Sequence, residues 1–524
     1  MPRVLVTDPI AQDGIDLLQR EAQVDVRLRP APDKLLQLIP AYEALIVRSE
    51  TKVTAAVIGA GERLQVIGRA GSGFDNIDVD AATERGVLVV NAPTGNIISA
   101  AEHTIALMLA LARRVPEAFE SLRAGRWERQ RFVGVELRGK TLGVVGLGQV
   151  GTEVARRARA MEMRVVACDP YIMIERAQSQ GVEPVSFDEL LGQADFISLH
   201  TRVTDTTRDM LGEAELRKVK PGVRIINTAR GELIDEAALV RALDEGRVAG
   251  AGIDVFREEP PGENPLLTHD KIIVTPHLGA LTEEAQERVA VDVAEEVLAV
   301  LRGEPARYAV NAPFVSPETM QMLRPYIAAA EKTASLATQL CDGQLKAVEL
   351  VYEGEIADLD VTPLKAAAIK GLLAPVSGEN VTIVNANLVA ERRGLVITQR
   401  TGPAQDYPNL ITVRLETDDG TTAVAGTAFH DGVHIVRIND FSKDFPLVDT
   451  YLLFCENLDR PGMVYAVGGI LAEHDINISS MYLGREHVRG RALMVLGLDD
   501  PVPPDVLSQL AALPDIYSVR VAKV

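Results

Sequence analysis

The sequence predicts an α/β protein built on parallel β-sheets, followed by a smaller α+β domain and a C-terminal βαββαβ domain. Apolar runs that read as strands alternate with helical stretches over residues 3–96 and again over residues 142–275. Such alternation is typical of parallel sheets covered by helices. Residues 447–524 follow the order of a ferredoxin-like domain. With 524 residues the chain is too long for a single hydrophobic core.

Composition and charge argue against several classes of partner. The net charge is −20, whereas nonspecific nucleic-acid binding requires a dense basic face. Cys168, Cys341 and Cys455 are far apart and match no metal or disulfide spacing, which indicates a reducing compartment. The chain begins with a strand-like run, and its longest apolar helix candidate, residues 104–112, is too short to cross a bilayer. We therefore expect a cytoplasmic protein that binds no metal, membrane or nucleic acid.

The first sheet carries candidate substrate-binding residues at the ends of its strands. Its predicted strands are VLVTD, ALIVRS, LQVIGRAG and VLVVNAP. Ligand-binding side chains of such sheets lie beyond the carboxyl ends of the strands. Arg48 and Ser49 end one strand, and Arg69 and Gly71 end another. An acidic protein that handles an acidic substrate must concentrate positive charge locally; the alternative is that both arginines are solvated surface charges.

A glycine turn, GLGQVG at residues 146–151, lies between a predicted strand and a predicted helix over residues 153–160. In a dinucleotide-binding turn the first glycine, Gly146, permits the tight bend, and the second, Gly148, lets the backbone approach a pyrophosphate. The third, Gly151, lets the helix pack on the strand. Unpaired N–H groups at the start of the helix then face the phosphates. Alone, this motif is weak evidence, because glycines also collect in ordinary loops.

The next strand strengthens the interpretation of the glycine turn. It covers residues 164–168 and is followed by Asp169, about 20 residues past the motif, where a carboxylate can accept hydrogen bonds from the ribose hydroxyls of the cofactor. A carboxylate there would repel a 2′-phosphate, so we expect NAD rather than NADP. The alternative is that Asp169 only begins a turn with Pro170.

A basic segment with the only tryptophan of the chain precedes the glycine turn. It reads WERQR over residues 127–131 and includes Arg129 and Arg131. These arginines either face a substrate or are exposed, and the sequence leaves both interpretations open.

Three ionisable residues that follow later strands form a candidate catalytic group: Arg230, Glu259 and His277. Oxidation of a secondary alcohol requires a base for the hydroxyl proton, and a histidine suits this because its unperturbed pKa is near neutrality. A carboxylate on the other ring nitrogen fixes the tautomer. An arginine can bind an α-carboxylate with its planar fork. Each of the three has an ordinary alternative as a structural, loop or turn residue.

The rest of the chain predicts a return helix and two further domains. The helix covers residues 282–302, with Thr282 as N-cap and Gly303 as its end. Residues 311–313 mark a domain boundary, after which a helix over residues 317–341 precedes alternating strands and a helix that starts at Thr362. A second boundary falls at residues 445–446.

Five segments together resemble the D-isomer-specific 2-hydroxyacid dehydrogenases. They are NTARGELID, GIDVFREEP, VTPHLGA, GLGQVG and RAGSGFDNID. The resemblance implies a Rossmann-type doubly wound NAD domain and a flavodoxin-like substrate domain split in sequence. It assigns substrate orientation to Arg230, acid/base catalysis to His277 and the partner role to Glu259. It also places the following residues near NAD: Ser72, Gln149, Val150, Asp169, Thr201, Thr228, Ala229, Arg230, Asp254, His277, Leu278, Gly279 and Ala280.

Over nearly its full length the chain is similar to the long-type members of this family that act on 3-phosphoglycerate. This implies the domains 1–98 (substrate, first segment), 99–281 (NAD), 282–312 (substrate, returning segment), 313–446 (intervening) and 447–524 (ACT). It also implies NAD-dependent oxidation of 3-phosphoglycerate to 3-phosphohydroxypyruvate, the first step of L-serine biosynthesis, by a homo-oligomer, either dimer or tetramer. Arg48, Arg69 and the pair Arg129 and Arg131, the last two from a neighbouring subunit, would then neutralise the phosphate.

The ACT resemblance implies an amino-acid effector, with L-serine as the candidate. It assigns Asp459 and Asn477 to the effector's amino and carboxyl groups. Asn457 departs from the histidine or tyrosine that serine-sensitive members often carry, and Leu281 departs from a small hydroxyl residue. Two other functions remain open: reduction of hydroxypyruvate, glyoxylate or 2-oxoglutarate by the same chemistry, and a regulator that senses NAD or an amino acid without turnover.

Overall fold

The computed structural model describes residues 1–313, 315–377, 380–404, 406–448 and 451–524. It confirms the predicted fold class: two parallel sheets covered by helices are followed by a mixed sheet and a ferredoxin-like domain. No helix in these ranges is long and apolar enough to cross a membrane.

The first lobe is a five-stranded parallel sheet in the order β2-β1-β3-β4-β5, which is the flavodoxin-like order. Its strands form because short apolar runs such as Val4, Leu5 and Val6 are buried completely between helices on both faces. The strands are β1 (Arg3–Val6), β2 (Gln23–Val26), β3 (Ala44–Val47), β4 (Val66–Arg69) and β5 (Leu88–Asn91). The helices are α1 (Gln12–Gln19), α2 (Pro32–Leu38), α3 (Ala55–Ala60) and α4 (Val79–Arg85).

The second lobe is a seven-stranded parallel sheet in the order β12-β11-β10-β9-β6-β7-β8. Its strands are β6 (Thr141–Val145), β7 (Arg164–Cys168), β8 (Glu183–Pro184), β9 (Phe196–Leu199), β10 (Val223–Asn227), β11 (Val248–Ile253) and β12 (Ile272–Val274). Its helices are α5 (Ile97–Arg113), α6 (Val115–Arg123), α7 (Gln149–Ala160), α8 (Ile174–Ser179), α9 (Phe187–Gln193), α10 (Glu213–Leu216) and α11 (Glu236–Asp244). The strand order reverses beside β6, and such a switch point is where open α/β sheets bind ligands.

A helix that follows the second lobe in sequence packs on the first. This helix, α12 (Glu283–Leu301), begins at the predicted cap Thr282, whose side chain accepts a hydrogen bond from the backbone N–H of Ala285. Its valines lie against β4, where a Cβ on Gly68 would be 2.7 Å from Val297. The chain therefore passes between the lobes twice, and a hydrogen bond of 2.8 Å between the hydroxyls of Ser99 and Thr282 joins the two passages.

The third domain is a mixed six-stranded sheet in the order β14-β13-β15-β16-β17-β18, with a long helix against one face. Its strands are β13 (Leu345–Gly354), β14 (Val396–Gly402), β15 (Asn409–Thr417), β16 (Thr421–Phe429), β17 (Gly432–Ile438) and β18 (Phe441–Pro446). Its helices are α13 (Pro317–Leu340), α14 (Thr362–Leu373) and α15 (Ala386–Arg392). The sequence interpretation did not include α15, β17 and β18. In β18 the polar run between Phe441 and Phe445 masks the strand, because only those two side chains are buried deeply.

The fourth domain has the predicted βαββαβ order in an antiparallel sheet, β20-β21-β19-β22. Its strands are β19 (Tyr451–Leu458), β20 (Ile478–Arg485), β21 (Arg491–Leu498) and β22 (Ile516–Lys523), and its helices are α16 (Met463–Glu473) and α17 (Pro504–Ala511). It lies against the third domain, where the Gln339 side chain forms two hydrogen bonds with the backbone of Lys523. The third domain in turn contacts the first lobe, where Thr382 donates to the carbonyl of Gly86 at 3.0 Å.

Candidate active site

The candidate site lies between the two lobes, at the carboxyl ends of their strands. Arg48 follows β3 and Arg69 ends β4 on one side. Arg230 follows β10 on the other side, where the segments after β11 and β12 carry Glu259 and His277. The structure brings these five predicted residues to one cleft because parallel strands direct their carboxyl ends to the same edge of each sheet.

The glycine turn has the geometry that a dinucleotide requires. Gly146 has φ +91°, which a residue with a side chain rarely adopts. A Cβ on Gly151 would lie 2.1 Å from the carbonyl oxygen of Gly146, so this glycine is required for the helix to pack on the strand. In contrast, no atom lies within 4 Å of a Cβ added to Gly148. Gly148 therefore faces open space at the start of α7, where a pyrophosphate can approach the backbone.

Asp169 lies directly beside this turn. One of its carboxylate oxygens accepts a hydrogen bond of 2.8 Å from the backbone N–H of Leu147, and the other accepts from Tyr171 at 2.9 Å. Each carboxylate oxygen can accept more than one hydrogen bond. The carboxylate is thus fixed at the end of β7 and retains capacity for the hydroxyls of a ribose. The turn, the open face at Gly148 and this carboxylate fit NAD.

His277 and Glu259 form the predicted catalytic pair. The Nδ1 of His277 lies 2.7 Å from Oε2 of Glu259, and this contact leaves Nε2 to exchange a proton. Burial raises the pKa of Glu259, but the hydrogen bond and charge of His277, with smaller effects of the Phe256 backbone N–H and of Arg230, outweigh it, so the pKa lies below its usual value. Glu259 is therefore ionised near neutral pH and stabilises a protonated imidazole.

A buried carboxylate holds the backbone that carries His277. Asp254 is fully buried and accepts hydrogen bonds from the backbone N–H groups of Leu278 and Gly279, at 2.7 and 2.9 Å. His277 itself has φ +53°, and its N–H donates to the carbonyl oxygen of Asp254 at 2.8 Å. A left-handed conformation costs a residue with a side chain about 1 to 2 kcal/mol. The Asp254 hydrogen bonds offset that cost, so this residue positions the histidine.

Three arginines meet on the substrate side of the cleft. Burial and the positive charges of Arg230 and Arg48 together lower the pKa of Arg69 to about 10. The Nε of Arg69 is buried without a hydrogen-bonding partner among the described residues. A buried donor that lacks an acceptor costs about 1 to 3 kcal/mol. The cluster therefore favours an anion.

Arg48 is held by residues that the sequence interpretation did not single out. The fully buried Asp8 accepts a hydrogen bond of 2.6 Å from the backbone N–H of Arg48, and Gln286 of α12 accepts from its Nη1 at 3.2 Å. Burial lowers the pKa of the Arg48 guanidinium. The returning helix thus takes part in the substrate side of the cleft.

Arg230 forms an ion pair with another residue that the sequence interpretation missed. Its Nε and Nη2 lie 3.1 and 3.0 Å from the same carboxylate oxygen of Asp75, on the opposite lobe. Gly73 lies against the same guanidinium, because a Cβ there would be 2.1 Å from Nη2. The motif RAGSGFD contained both residues, but no sequence signal paired them with Arg230 across the cleft.

The other predicted cofactor and substrate residues differ in the contacts that they make. Thr228 shares a hydrogen bond of 2.7 Å with Thr104, and the Ser72 hydroxyl accepts from Asn96 at 3.2 Å. Arg129 and Arg131 lie in a short 3₁₀ helix, and Arg131 pairs with its neighbour Glu128 at 3.2 Å. Within the described ranges, no hydrogen bond or ion pair joins these two arginines to the three-arginine cluster. Their substrate role stays a prediction, as do the roles of Ser49, Gly71, Gln149, Val150, Thr201, Ala229 and Ala280.

His103 is a further residue that the sequence did not indicate. Its Nε2 lies 3.1 Å from Oδ1 of Asp254 and 3.1 Å from the hydroxyl of Thr275. It therefore completes the hydrogen bonds around the buried carboxylate from helix α5. A histidine inside a helix gives no local sign of such a contact.

In the ACT domain, the three predicted effector residues lie in different environments. Asn457 is buried, and its Oδ1 has no hydrogen-bonding partner among the described residues. Asp459 accepts hydrogen bonds from the Arg489 backbone and the Arg485 side chain, which lower its pKa. Asn477 donates to Asp499 at 2.6 Å. The Oδ1 of Asn457 is thus a buried acceptor that the described residues leave without a donor.

Comparison with known proteins identifies the domains. Residues 105–279 match the family model of the D-isomer specific 2-hydroxyacid dehydrogenase, NAD binding domain. Residues 322–439 match the D-3-phosphoglycerate dehydrogenase intervening domain, and residues 451–515 match the ACT domain. A solved D-lactate dehydrogenase from Aquifex aeolicus, complexed with NAD and lactic acid, is 29% identical with a TM-score of 0.54, and the match covers 59% of this chain and 99% of that one. The fold and the site define a D-isomer specific 2-hydroxyacid dehydrogenase whose cofactor is NAD.

Relatives of the same length identify the family within this class. A D-3-phosphoglycerate dehydrogenase from Synechocystis is 44% identical over 99% of this chain and 95% of the relative. Another from Methanocaldococcus jannaschii is 43% identical over 99% of both chains. The chain belongs to the D-3-phosphoglycerate dehydrogenase family, and the predicted resemblance is confirmed.

Replacement of Gly148 by alanine tests the glycine turn. We expect the thermal stability of Gly148→Ala to equal that of the wild type, because no atom lies within 4 Å of the added Cβ. We expect the KM for NAD to rise about tenfold or more, because the added methyl group occupies the space in which a pyrophosphate approaches the backbone. Loss of one charge-assisted hydrogen bond there would cost about 1.5 to 3 kcal/mol. Steady-state kinetics and thermal denaturation measure the two effects. Gly151→Ala is the contrasting variant and should lose stability; an unchanged KM in Gly148→Ala would contradict this assignment.

Proposed function

We propose that this chain oxidises 3-phosphoglycerate to 3-phosphohydroxypyruvate with NAD in the cytoplasm, as the first step of L-serine biosynthesis. The observation that carries the proposal is the meeting of Arg48, Arg69 and Arg230 beside the His277–Glu259 pair. A substrate with an anionic group at each end of a secondary alcohol needs such an arrangement. Three cationic groups can bind one carboxylate and one phosphate, whereas a simple hydroxy acid leaves part of the positive charge uncompensated.

His277 acts as the base of the oxidation. Its Nε2 takes the proton of the substrate hydroxyl. NAD, held by the glycine turn and Asp169, would supply the acceptor for the hydride that leaves the same carbon. Glu259, at 2.7 Å from Nδ1, stabilises the imidazolium that results. In the reverse direction the same imidazolium returns the proton to the carbonyl oxygen.

The arginines divide the anionic groups of the substrate between them. Arg230 lies nearest to the catalytic pair, so its planar fork binds the α-carboxylate and polarises the reacting oxygen. Arg48 and Arg69 lie on the other lobe and bind the phosphate. The negative charge of the phosphate offsets the positive charge that Arg230 and Arg48 place beside Arg69.

Substitution of the catalytic pair tests the acid/base assignment. We expect His277→Ala to reduce kcat by about 10² to 10⁴, the usual contribution of a positioned acid or base. Glu259→Gln should reduce kcat as well, because the amide carries no charge to stabilise an imidazolium. His269→Ala is a matched control, since His269 also contacts a carboxylate of the NAD lobe, Asp244 at 3.3 Å. Full activity of His277→Ala in NADH formation would refute the assignment.

A substrate panel tests the phosphate site. We expect Arg48→Ala to raise the KM for 3-phosphoglycerate about tenfold or more, because one charged hydrogen bond contributes about 1.5 to 3 kcal/mol. The KM for glyoxylate, which lacks a phosphate, should change little. Arg85→Ala removes an exposed arginine of the same lobe and serves as the control.

Two outcomes of this panel favour the other functions. If the wild type turns over glyoxylate, hydroxypyruvate or 2-oxoglutarate better than 3-phosphoglycerate, it is a reductase of a simple acid. If the wild type turns over no hydroxy acid, it is a regulator.

We further propose that the protein is a homo-oligomer and that its ACT domain binds L-serine. Exposed apolar side chains on α6 and the segment after it, Phe119, Leu122, Trp127 and Val133, support an interface between copies. The orphaned Oδ1 of Asn457 supports a ligand donor, such as an ammonium group, in the ACT domain. Asp459 then contributes the negative charge and Asn477 an amide donor for the carboxylate.

The effect of serine tests the ACT proposal. We expect L-serine to lower the rate of NADH formation and to raise the melting temperature, because a ligand that binds the folded state stabilises it. Asp459→Ala should lose both effects, since it removes the charge that faces the ammonium group. Asp500→Ala, which removes an exposed carboxylate of the same domain, should retain them. An equal serine response in Asp459→Ala and the wild type would contradict the site.

A further inference from the structure

The ion pair between Asp75 and Arg230 joins the two lobes across the cleft. Asp75 belongs to the loop after β4, and Arg230 follows β10 of the NAD lobe. Nε and Nη2 of the guanidinium contact one oxygen of the carboxylate, at 3.1 and 3.0 Å. The remaining terminal nitrogen, Nη1, donates to the carbonyl oxygen of Ala229 at 2.7 Å. All three nitrogens of Arg230 are therefore engaged by the protein itself.

Asp75 contacts the edge of the Arg230 guanidinium that a substrate carboxylate would bind. A carboxylate binds an arginine best in the guanidinium plane, with its oxygens on two neighbouring N–H groups. The Nη1 edge already faces the backbone, so Nε and Nη2 provide the edge for a planar, two-point contact. Asp75 occupies that edge. A 2-hydroxy acid that binds there must displace it.

The exposure and the hydrogen-bonding partners of Asp75 indicate an ion pair that a ligand can replace, rather than one that holds Arg230 in place. Its side chain is 74% exposed, whereas that of Arg230 is 29% exposed. Among the described residues, Arg230 is the only hydrogen-bonding partner of the Asp75 carboxylate. By comparison, Asp254 and Asp8 are fully buried and hold several groups at once. Asp254 and Asp8 thus fix the backbone of the site from buried positions, whereas Asp75 makes a single contact at the surface.

We propose that Asp75 is a competing carboxylate, which pairs with Arg230 across the cleft and is exchanged for the carboxylate of the substrate during binding. This inference rests on the proposed role of Arg230 in the oxidation of a 2-hydroxy acid. The exchange weakens substrate binding by the strength of the internal ion pair. It also keeps the guanidinium extended toward the opposite lobe, because the pair spans the cleft.

The test compares Asp75→Asn and Asp75→Ala with the wild type. An exposed ion pair contributes little, so removal of its charge should lower the KM for 3-phosphoglycerate by about two- to fivefold. The value of kcat should stay within about twofold, because Asp75 does not contact the reacting atoms. The dissociation constant of oxalate, a planar dicarboxylate measured by calorimetry in the presence of NADH, should fall by the same factor. Asp80→Asn, which removes an exposed carboxylate from nearby α4, should leave all three values unchanged.

Opposite results overturn the inference. If Asp75 instead orients Arg230, its variants will have a higher KM, a lower kcat and weaker oxalate binding, and Asp75→Glu will restore activity in part. Unchanged oxalate affinity in both variants also overturns it. Because calorimetry requires no turnover, it gives an answer for Asp75 even if the wild type does not oxidise 3-phosphoglycerate, which is the separate failure of the proposed function. Thermal denaturation confirms that each variant is folded.

Discussion

The positive charge that Arg230 and Arg48 place beside the buried Arg69 is the constraint around which the cleft is built. Burial and the charges of Arg230 and Arg48 act together on Arg69, whose Nε has no protein acceptor among the described residues. The protein as a whole carries a net charge of −20, so the arginine cluster is a local region of positive charge in an acidic protein. An anionic substrate offsets this positive charge, and specificity for a doubly anionic acid follows from the same physical cause as binding.

Around the cluster, two fully buried carboxylates stabilise the backbone of the site. Asp254 fixes the backbone that carries His277, and Asp8 fixes the backbone of Arg48. Both are fully buried, and a buried carboxylate is tolerated only where hydrogen bonds compensate its charge. His277 and Glu259 are partly exposed, whereas the two carboxylates that fix the backbone around them and around Arg48 are fully buried. The residues that bear the cost of charge burial are therefore different from the side chains that carry out the reaction.

The sequence predicted those parts of the site that depend on local geometry. The turn at residues 146–151 and the carboxylate of Asp169 follow from spacing along one strand–turn–helix unit, and the polar ends of successive strands identified His277, Glu259 and Arg230. Contacts between distant segments were not predictable. Asp75 meets Arg230 only because two lobes face each other. The amphipathic pattern of helix α12 was visible in the sequence. Such a pattern predicts that one face of the helix is buried, but it does not predict which sheet that face packs against.

The division of the first lobe into two segments also affects how the protein is made. Strand β4 is covered by α12, and about 190 residues separate the end of β5 from the start of that helix. At a synthesis rate of about 5 to 20 residues per second, the apolar face around Gly68 stays uncovered for roughly ten to forty seconds. During that interval the whole NAD lobe emerges and can fold first. The nascent chain thus presents an incomplete sheet to the ribosome surface and to chaperones before its own helix arrives.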